Sequence, residues 1–564
     1  GKRILLLTAN DLKASRMADD AQQLLPGRAA CLPGGEIDLT RGASSHESSW
    51  RRLETLAKAA AGDIHLLVAS MDAALQRMGS PELFREGIIR LRPGDCYAPD
   101  SLILRLIHLG YERVDMVEGK GQCAMRGSIL DVYPPAASCS LRIEFFDDEV
   151  DSIRSFDCIS QRSLDKLRAA VITPAAEIIL PQEACAPAAQ RMRDAVNDLI
   201  PNAPKESALF SDLPPLPEGD EELVDIYDKK IAPKARAKAA DAARSAELER
   251  RMAALLRDAD LVESGLPFRR IRAWLPVLTD DTATLLHWFR PDAVLMCAPD
   301  QLRDRADERN RGFQEDLRGA MERGEAVQEQ QRLLMDWEEF IHCIDGQTLV
   351  TLSELLRGLG GLRTQDAIDL GCKGVAGYQS QLKLLAEDCI TWRRQGWCVA
   401  LLSGGVARGK RLAQALNELE SPAVFSESTN NLIRGEALVL PGTLSHGFLW
   451  PEAKLAVVAD TDIYGAGYRK AKSRRNAGEK IAAFTDLKVG DYVVHEDHGV
   501  GVYQGTVHLQ SEGTYRDYLL IQYQGADKLY IPIEQLERVQ RYIGNPNQPP
   551  KLNRLGGGDW QKQK

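Results

Sequence analysis

Arg126-Gly127-Ser128-Ile129-Leu130-Asp131-Val132-Tyr133-Pro134, followed after a short turn-rich stretch by Leu141-Arg142-Ile143-Glu144-Phe145-Phe146, decides how the first half of the chain is read. In the second run Leu141, Ile143 and Phe145 alternate with Arg142, Glu144 and Phe146, the period-two signature of a strand with one dry and one wet face. Pro134-Pro135-Ala136-Ala137-Ser138 separates the two runs, so Gln122–Tyr133 and Ser140–Phe146 are expected to flank a turn in a small antiparallel sheet. Phe146 is then an aromatic on the wet face beside Arg142, the composition of an interaction hot spot. A register that pairs Arg126 with Phe146 would gather Arg126, Arg142 and Phe146 on one patch, though sequence leaves that register open. The plain alternative has Phe146 under a neighbouring loop and the arginines paired with local acids.

Outward from this stretch the pattern changes. Residues 1–93 alternate apolar runs (Ile4–Leu7, Ile64–Ala69) with helical spacing (Ala14–Leu25, Met71–Met78), as in a parallel α/β sheet. The strand-rich segment 94–172 is therefore expected as an insertion, with 173–345 returning to the first domain. Within that return, Leu213–Gly219 reads as an acidic surface connection, Ala232–Leu256 as a long helix, Ala293–Cys297 as a buried strand and Gln301–Phe340 as a solvated helical stretch. Residues 346–467 look like a second α/β unit with strands at Val399–Leu402 and Leu455–Ala459, 468–483 like a linker, and 484–545 like a small β-barrel punctuated by Gly499, Gly501, Gly505, Gly513 and Gly525. The tail 546–564 reads as the start of a further connection.

With 564 residues the chain needs roughly four cores. No apolar run is long enough to span a bilayer or to serve as a signal-peptide core, so a cytoplasmic monomer without membrane contact is expected. Eleven cysteines without a C-x-x-C pair point to reduced thiols rather than zinc. His495 and His498 lie close together but lack a third ligand nearby, so no metal is expected. A net charge of −10, from 71 basic and 81 acidic residues, favours protein partners over a chain built to grip phosphates. The chain opens on Gly1, so a missing motif describes this segment alone.

Gly404-Gly405-Val406-Ala407-Arg408-Gly409-Lys410-Arg411 nearly spells a phosphate-binding loop. Arg411 stands where the magnesium-binding hydroxyl belongs, and no DExH box accompanies it. The loop reads as a strand–turn–helix that uses glycine for its turn. No catalytic residue and no cofactor site is expected in this segment.

Arg126–Pro134 and Arg142–Arg154 together resemble the module shared by UvrB and the bacterial transcription-repair coupling factor (Mfd) family. The resemblance implies that this module binds UvrA, with Arg126, Arg142 and Phe146 at the matching contact positions. Val489–Gly501, Asp517–Tyr523 and Lys528–Pro532 are similar to that family's RNA-polymerase-interacting module, related to CarD-type regulators. This implies docking on the polymerase β subunit, with Leu509 as the matching apolar contact. The family's fold would make the α/β units degenerate RecA/helicase-like domains and the C-terminal module SH3/Tudor-like. The family also implies a motor beyond Lys564 that uses ATP and Mg2+ and tracks double-stranded DNA. Two alternative functions make demands that this sequence does not meet. A stand-alone ATP-dependent helicase would need the complete phosphate loop. A UvrB-like damage-loading protein would need an aromatic-rich hairpin where Leu39–Arg52 offers only Trp50.

Overall fold

The computed structural model describes residues 2–39, 46–158, 160–199, 250–354, 365–428, 433–465, 479–480, 492–495, 499–511, 514–525, 527–532, 539–541 and 552. The chain divides into two compact units, Gly1–Val375 with Cys389–Ala459, and Ala376–Asp388 with Asp460–Lys564. The expected acidic connection Leu213–Gly219, most of the long helix Ala232–Leu256, and nearly all of the linker and tail lie outside the described residues.

In the first unit a five-stranded parallel sheet runs in the order Thr348–Leu352, Ala293–Cys297, Ile4–Thr8, Leu66–Ser70, Ala29–Leu32. The unbroken apolar run at its centre has a simple cause, because both faces of the sheet are covered. Leu5 and Leu7 enter one core with Leu67, Val294 and Met296, while Val68 and Leu6 meet Ala14 and Ala18 of the helix Asp11–Leu24 on the other face. Thr348–Leu352 pairs along its whole length with Ala293–Cys297. The first sheet thus takes in a strand that the sequence reading assigned to the next unit. Gln301–Phe340, expected to be solvated, instead buries one stripe. Leu302, Ala306, Phe313, Leu317 and Ala320 of the helix Pro299–Glu322 all face inward.

The insertion leaves and returns on a two-stranded antiparallel ribbon, Ile89–Leu91 against Ala170–Ile172. Between these arms lies a six-stranded sheet in the order Ser163–Leu167, Glu149–Phe156, Ser140–Phe146, Ile129–Val132, Gln122–Arg126, Glu112–Arg113. Its neighbours are antiparallel except for the last pair. The helix Pro99–His108 covers one face, packing Leu102, Ile103 and Leu106 among Leu130, Val132, Leu141, Ile143, Phe145 and Ile153. The expected single strand Gln122–Tyr133 is in fact two strands. The chain reverses at Gly127-Ser128, where Gly127 has φ +60°, a conformation that costs glycine little.

Just beyond the returning arm sits Glu177, buried and shared by two arginines. Arg52, from the helix His46–Ala61, donates Nε at 2.7 Å and Nη2 at 3.2 Å. Arg272, from the 3-10 turn Arg269–Trp274, donates through Nη1 at 3.3 Å and through Nη2. One carboxylate thereby fastens the α/β domain, the insertion's exit and the following helical segment. Gly35 lies against this cluster, and a Cβ there would stand 2.7 Å from Arg272 Cζ.

A second sheet in the same unit runs Lys373–Gly374, Phe448–Trp450, Leu455–Val458, Cys398–Leu402, Ala437–Leu440, Ala423–Phe425. Its last four strands are parallel and its first two antiparallel. The second unit carries an antiparallel sheet, Glu479–Lys480, Val539–Arg541, Tyr492–His495, Gly499–Ser511, Thr514–Gln522, Lys528–Pro532. Val493, Tyr503, Leu519, Ile521, Tyr523 and Ile531 form its core. The strand expected to end at Gly505 continues to Ser511, past a bulge at Gln504 that Gly505 relieves at φ +114°. Among the described residues no pairing closes this sheet into a barrel.

Burial alone would raise the Glu177 carboxyl, but the Arg272 and Arg52 charges prevail and hold it at about 2, down from 4.5. Its folded pKa is depressed, so its contribution is full above pH 4.5 and fades as pH falls from 4.5 through about 2. Glu177→Ala strands two buried guanidinia and should lower stability by about 3–5 kcal/mol. Urea denaturation at pH 7 reads that loss. Repeated at pH 3, the gap between variant and parent should narrow.

Candidate functional site

The exposed face of the inserted sheet is where the sequence placed its candidate residues. Strand alternation buries Leu141, Ile143 and Phe145 and leaves Arg142, Glu144 and Phe146 on the opposite, wetter side. Phe146 is 79% exposed, and no loop among the described residues covers it. This is unusual for a phenylalanine that could have joined the core on the other face.

The arginines behave differently. Asp131 on the middle strand stands directly opposite Arg142 and is almost fully buried. Arg142 binds it through Nε at 2.7 Å and Nη2 at 2.9 Å, and Arg126 binds the same carboxylate through Nη2 at 2.8 Å. Arg142 also donates Nη1 to Gln161 O and Ser163 Oγ, and its guanidinium lies 4.7 Å over the Phe156 ring. The hydrogen bonds that Arg142 donates to Asp131 hold its guanidinium above the ordinary pKa, so its charge is fixed. The side chain of Arg142 is 14% exposed, whereas that of Arg126 is 49% exposed.

The register therefore unites Arg126 with Arg142, but not in the way the sequence suggested. Arg126 pairs with Ile129, and Ile129 with Glu144, so a whole strand separates Arg126 from the strand of Phe146. The Arg126–Phe146 pairing, a register that the sequence left open, does not occur, because the turn at Gly127 makes two strands where one was expected. Phe146 follows a bulge after Glu144 and lies four residues beyond Arg142, roughly 13 Å along the strand. Sequence reasoning missed Asp131, the residue that organises the cations. Its polar side chain between apolar Leu130 and Val132 was the available signal.

Leu509 lies on the strand Gly499–Ser511 opposite Arg516. Its side chain is outside the described residues. His495 is buried in this sheet, and His498 is also outside them. Among the described residues no group of three or more His, Cys, Asp and Glu side chains is placed to hold a metal ion, and no helix is long and apolar enough to cross a membrane.

Two strand–turn–helix corners could have offered amide groups to a phosphate. At the first, Asn10 caps the helix Asp11–Leu24 by accepting from Lys13 N at 3.0 Å, and the Asp11 carboxylate takes Gly34 N–H and Ser70 O–H. At the second, Gly404 (φ +71°) donates its N–H to Gly442 O at 2.8 Å. A Cβ on Gly409 would lie 2.8 Å from Ser403 Oγ and nearer still to the Phe425 ring, so glycine here serves helix–strand packing. Lys410 Nζ lies 5.8 Å from the centroid of that ring. A cavity of about 560 Å³ beside the Glu177 cluster is lined by Trp50, His108, Lys120, Glu112 and others, with acids and bases intermixed.

Residues 89–178 match the family model of the UvrB interaction domain, and residues 487–543 that of the CarD-like/TRCF RID domain. Along its whole length the chain is 29% identical, over 570 residues, to the transcription-repair-coupling factor of Bacillus subtilis (strain 168). It is 26% identical, over 572 residues, to those of Staphylococcus aureus strains RF122 and USA300. The chain is similar along its whole length to transcription-repair-coupling factors. It spans 45% of the length of these relatives. The UvrB-type match begins at the first arm, Ile89–Leu91, and runs past the second, Ala170–Ile172, to residue 178, so it takes in the structural insertion together with Glu177.

Asp131→Ala leaves the largely buried Arg142 without its counter-charge. Stability should drop by about 3 kcal/mol, the low end for a buried pair because Arg126 is half in water. Chemical denaturation measures the loss, and Asp131→Glu should recover part of it.

Proposed function

We propose that this chain acts in transcription-coupled DNA repair as a tether. Its C-terminal β module, SH3/Tudor-like in form, holds the β subunit of a stalled RNA polymerase. Its inserted sheet recruits UvrA. One observation carries this reading: a UvrB interaction domain and a CarD-like/TRCF RID domain occur in a single chain that is similar throughout to transcription-repair-coupling factors.

On the inserted sheet, Phe146 supplies an exposed aromatic anchor, and Arg126 a half-exposed cation fixed by Asp131. Arg142, mostly enclosed, contributes its field and the rigidity of the surface more than contact area. On the C-terminal module we assign the apolar contact to Leu509. The α/β units are read as degenerate RecA-like domains whose phosphate corners are satisfied internally, through Asp11 in the first and Gly404 in the second. In this reading ATP, Mg2+ and double-stranded DNA are handled by a motor outside this segment, and the segment itself turns over no nucleotide. The domain limits 1–93 with 173–345, 94–172, 346–467 and 484–545 belong to the same proposal, with the strand Thr348–Leu352 added to the first domain.

Phe146→Ala should weaken UvrA binding by about 1–3 kcal/mol in calorimetry without lowering the melting temperature. Unchanged affinity would remove Phe146 from the contact. Leu509→Arg should abolish capture of the polymerase β subunit while circular dichroism stays unaltered. Retained capture would refute that assignment. ATP hydrolysis by the purified chain would contradict a tether without turnover.

A further inference from the structure

The pairings of the inserted sheet define a row that no single strand reveals. Ala124 stands opposite Asp131, Asp131 opposite Arg142, Arg142 opposite Arg154, and Arg154 opposite Lys166. Directly opposed residues share a face, so Arg154 and Lys166 lie on the same side as Arg126 and Arg142. Three consecutive cross-strand partners are cationic, an arrangement that is unfavourable unless counter-charges are present. Asp131 answers Arg126 and Arg142. Glu144 approaches Arg154 Nε only to 4.0 Å and accepts from Ser152 Oγ at 2.6 Å, leaving Arg154 Nε without a hydrogen-bond partner among the described residues. Lys166 is exposed on the outermost strand, with no ion-pair partner among the described residues. That strand is exposed along nearly its whole length, including Leu164 at 58%.

We infer that the recognition face continues across the sheet from Phe146 and Arg126 to Arg154 and Lys166, and that it fits a carboxylate-rich protein surface with an apolar recess for Phe146. The inference rests on the reading that this sheet binds a protein partner and adds the charge and extent of that partner's surface. Two features favour carboxylates on a protein over phosphates on a nucleic acid. Glu144 in the midst of the face and Asp147, Asp148 and Glu149 beside Phe146 repel anions of either kind, so an evenly charged phosphate backbone fits poorly, whereas a protein can set its carboxylates opposite Arg126, Arg154 and Lys166 and an apolar recess opposite Phe146. A bulky exposed aromatic, moreover, finds its complement in an apolar recess.

The test measures UvrA binding to the full chain by biolayer interferometry at several salt concentrations, with Phe146→Ala as reference. Arg154→Gln and Lys166→Glu should each weaken binding by about threefold to tenfold, mainly through slower association, and should flatten the salt dependence. Lys166→Arg should bind like the parent. Melting temperatures of these surface variants should match the parent. If Phe146→Ala weakens binding while Arg154→Gln and Lys166→Glu change neither affinity nor salt dependence, the extension is overturned and the proposed function stands. If Phe146→Ala also has no effect, the underlying reading falls with it. If the same charge variants abolish binding to a labelled 20-base-pair DNA duplex and spare UvrA, the partner is a nucleic acid and the inference is wrong.

Discussion

Glu177 is the constraint on which the first unit depends. An insertion that leaves a parallel sheet and returns to it needs a fixed junction, and the paired arms supply only three residues each. The carboxylate just past the returning arm completes the junction by gathering Arg52 from one side and Arg272 from the other. Neither guanidinium could be enclosed alone, because an unpaired buried charge costs several kcal/mol. The cluster thus specifies where three segments meet more than it adds net stability.

Asp131 repeats this logic at smaller scale. A buried carboxylate again collects two arginines, here at the surface of the inserted sheet, and one of them stays half in water. Because the carboxylate is enclosed, its hold on the guanidinia is screened little by solvent. Arg126 is thereby presented in a defined direction before any partner arrives, which reduces the ordering cost of association. Phe146 needs no such help, since an aromatic ring has few rotamers to lose.

The sequence made the layered plan readable and left the pairing obscure, for physical reasons. Ile4–Thr8, Cys398–Leu402 and Ser140–Phe146 announced themselves through apolar runs or alternation. Ala29–Leu32 did not, because Ala-Ala-Cys-Leu has neither β-branched residues nor alternation to mark it. Thr348–Leu352 fell within the stretch read as the second unit and was not singled out as a strand, and its place in the first sheet was hidden because a parallel partner can lie at any sequence distance. The candidate residues Arg142 and Phe146 were readable from one strand. Asp131, Arg154 and Lys166 required the register, and register is a property of several strands at once. The error at Gly127 shows the same limit. One glycine with positive φ turned an expected strand into a hairpin and separated Arg126 from Phe146.

The alternative reading of the arginines, pairing with local acids, turned out to describe half the site. Arg142 is so fully engaged by Asp131, Gln161, Ser163 and Phe156 that little of it remains for a partner. Structural engagement and recognition are not rivals here. A cation locked in place still projects its field, and a sheet whose cations are held in register presents that field as a pattern. The chain carries a net charge of −10, so a local cationic row stands out against its own surroundings. In the proposed role, such contrast would orient an acidic surface before contact, and the exposed ring of Phe146 would set the depth at which that surface docks.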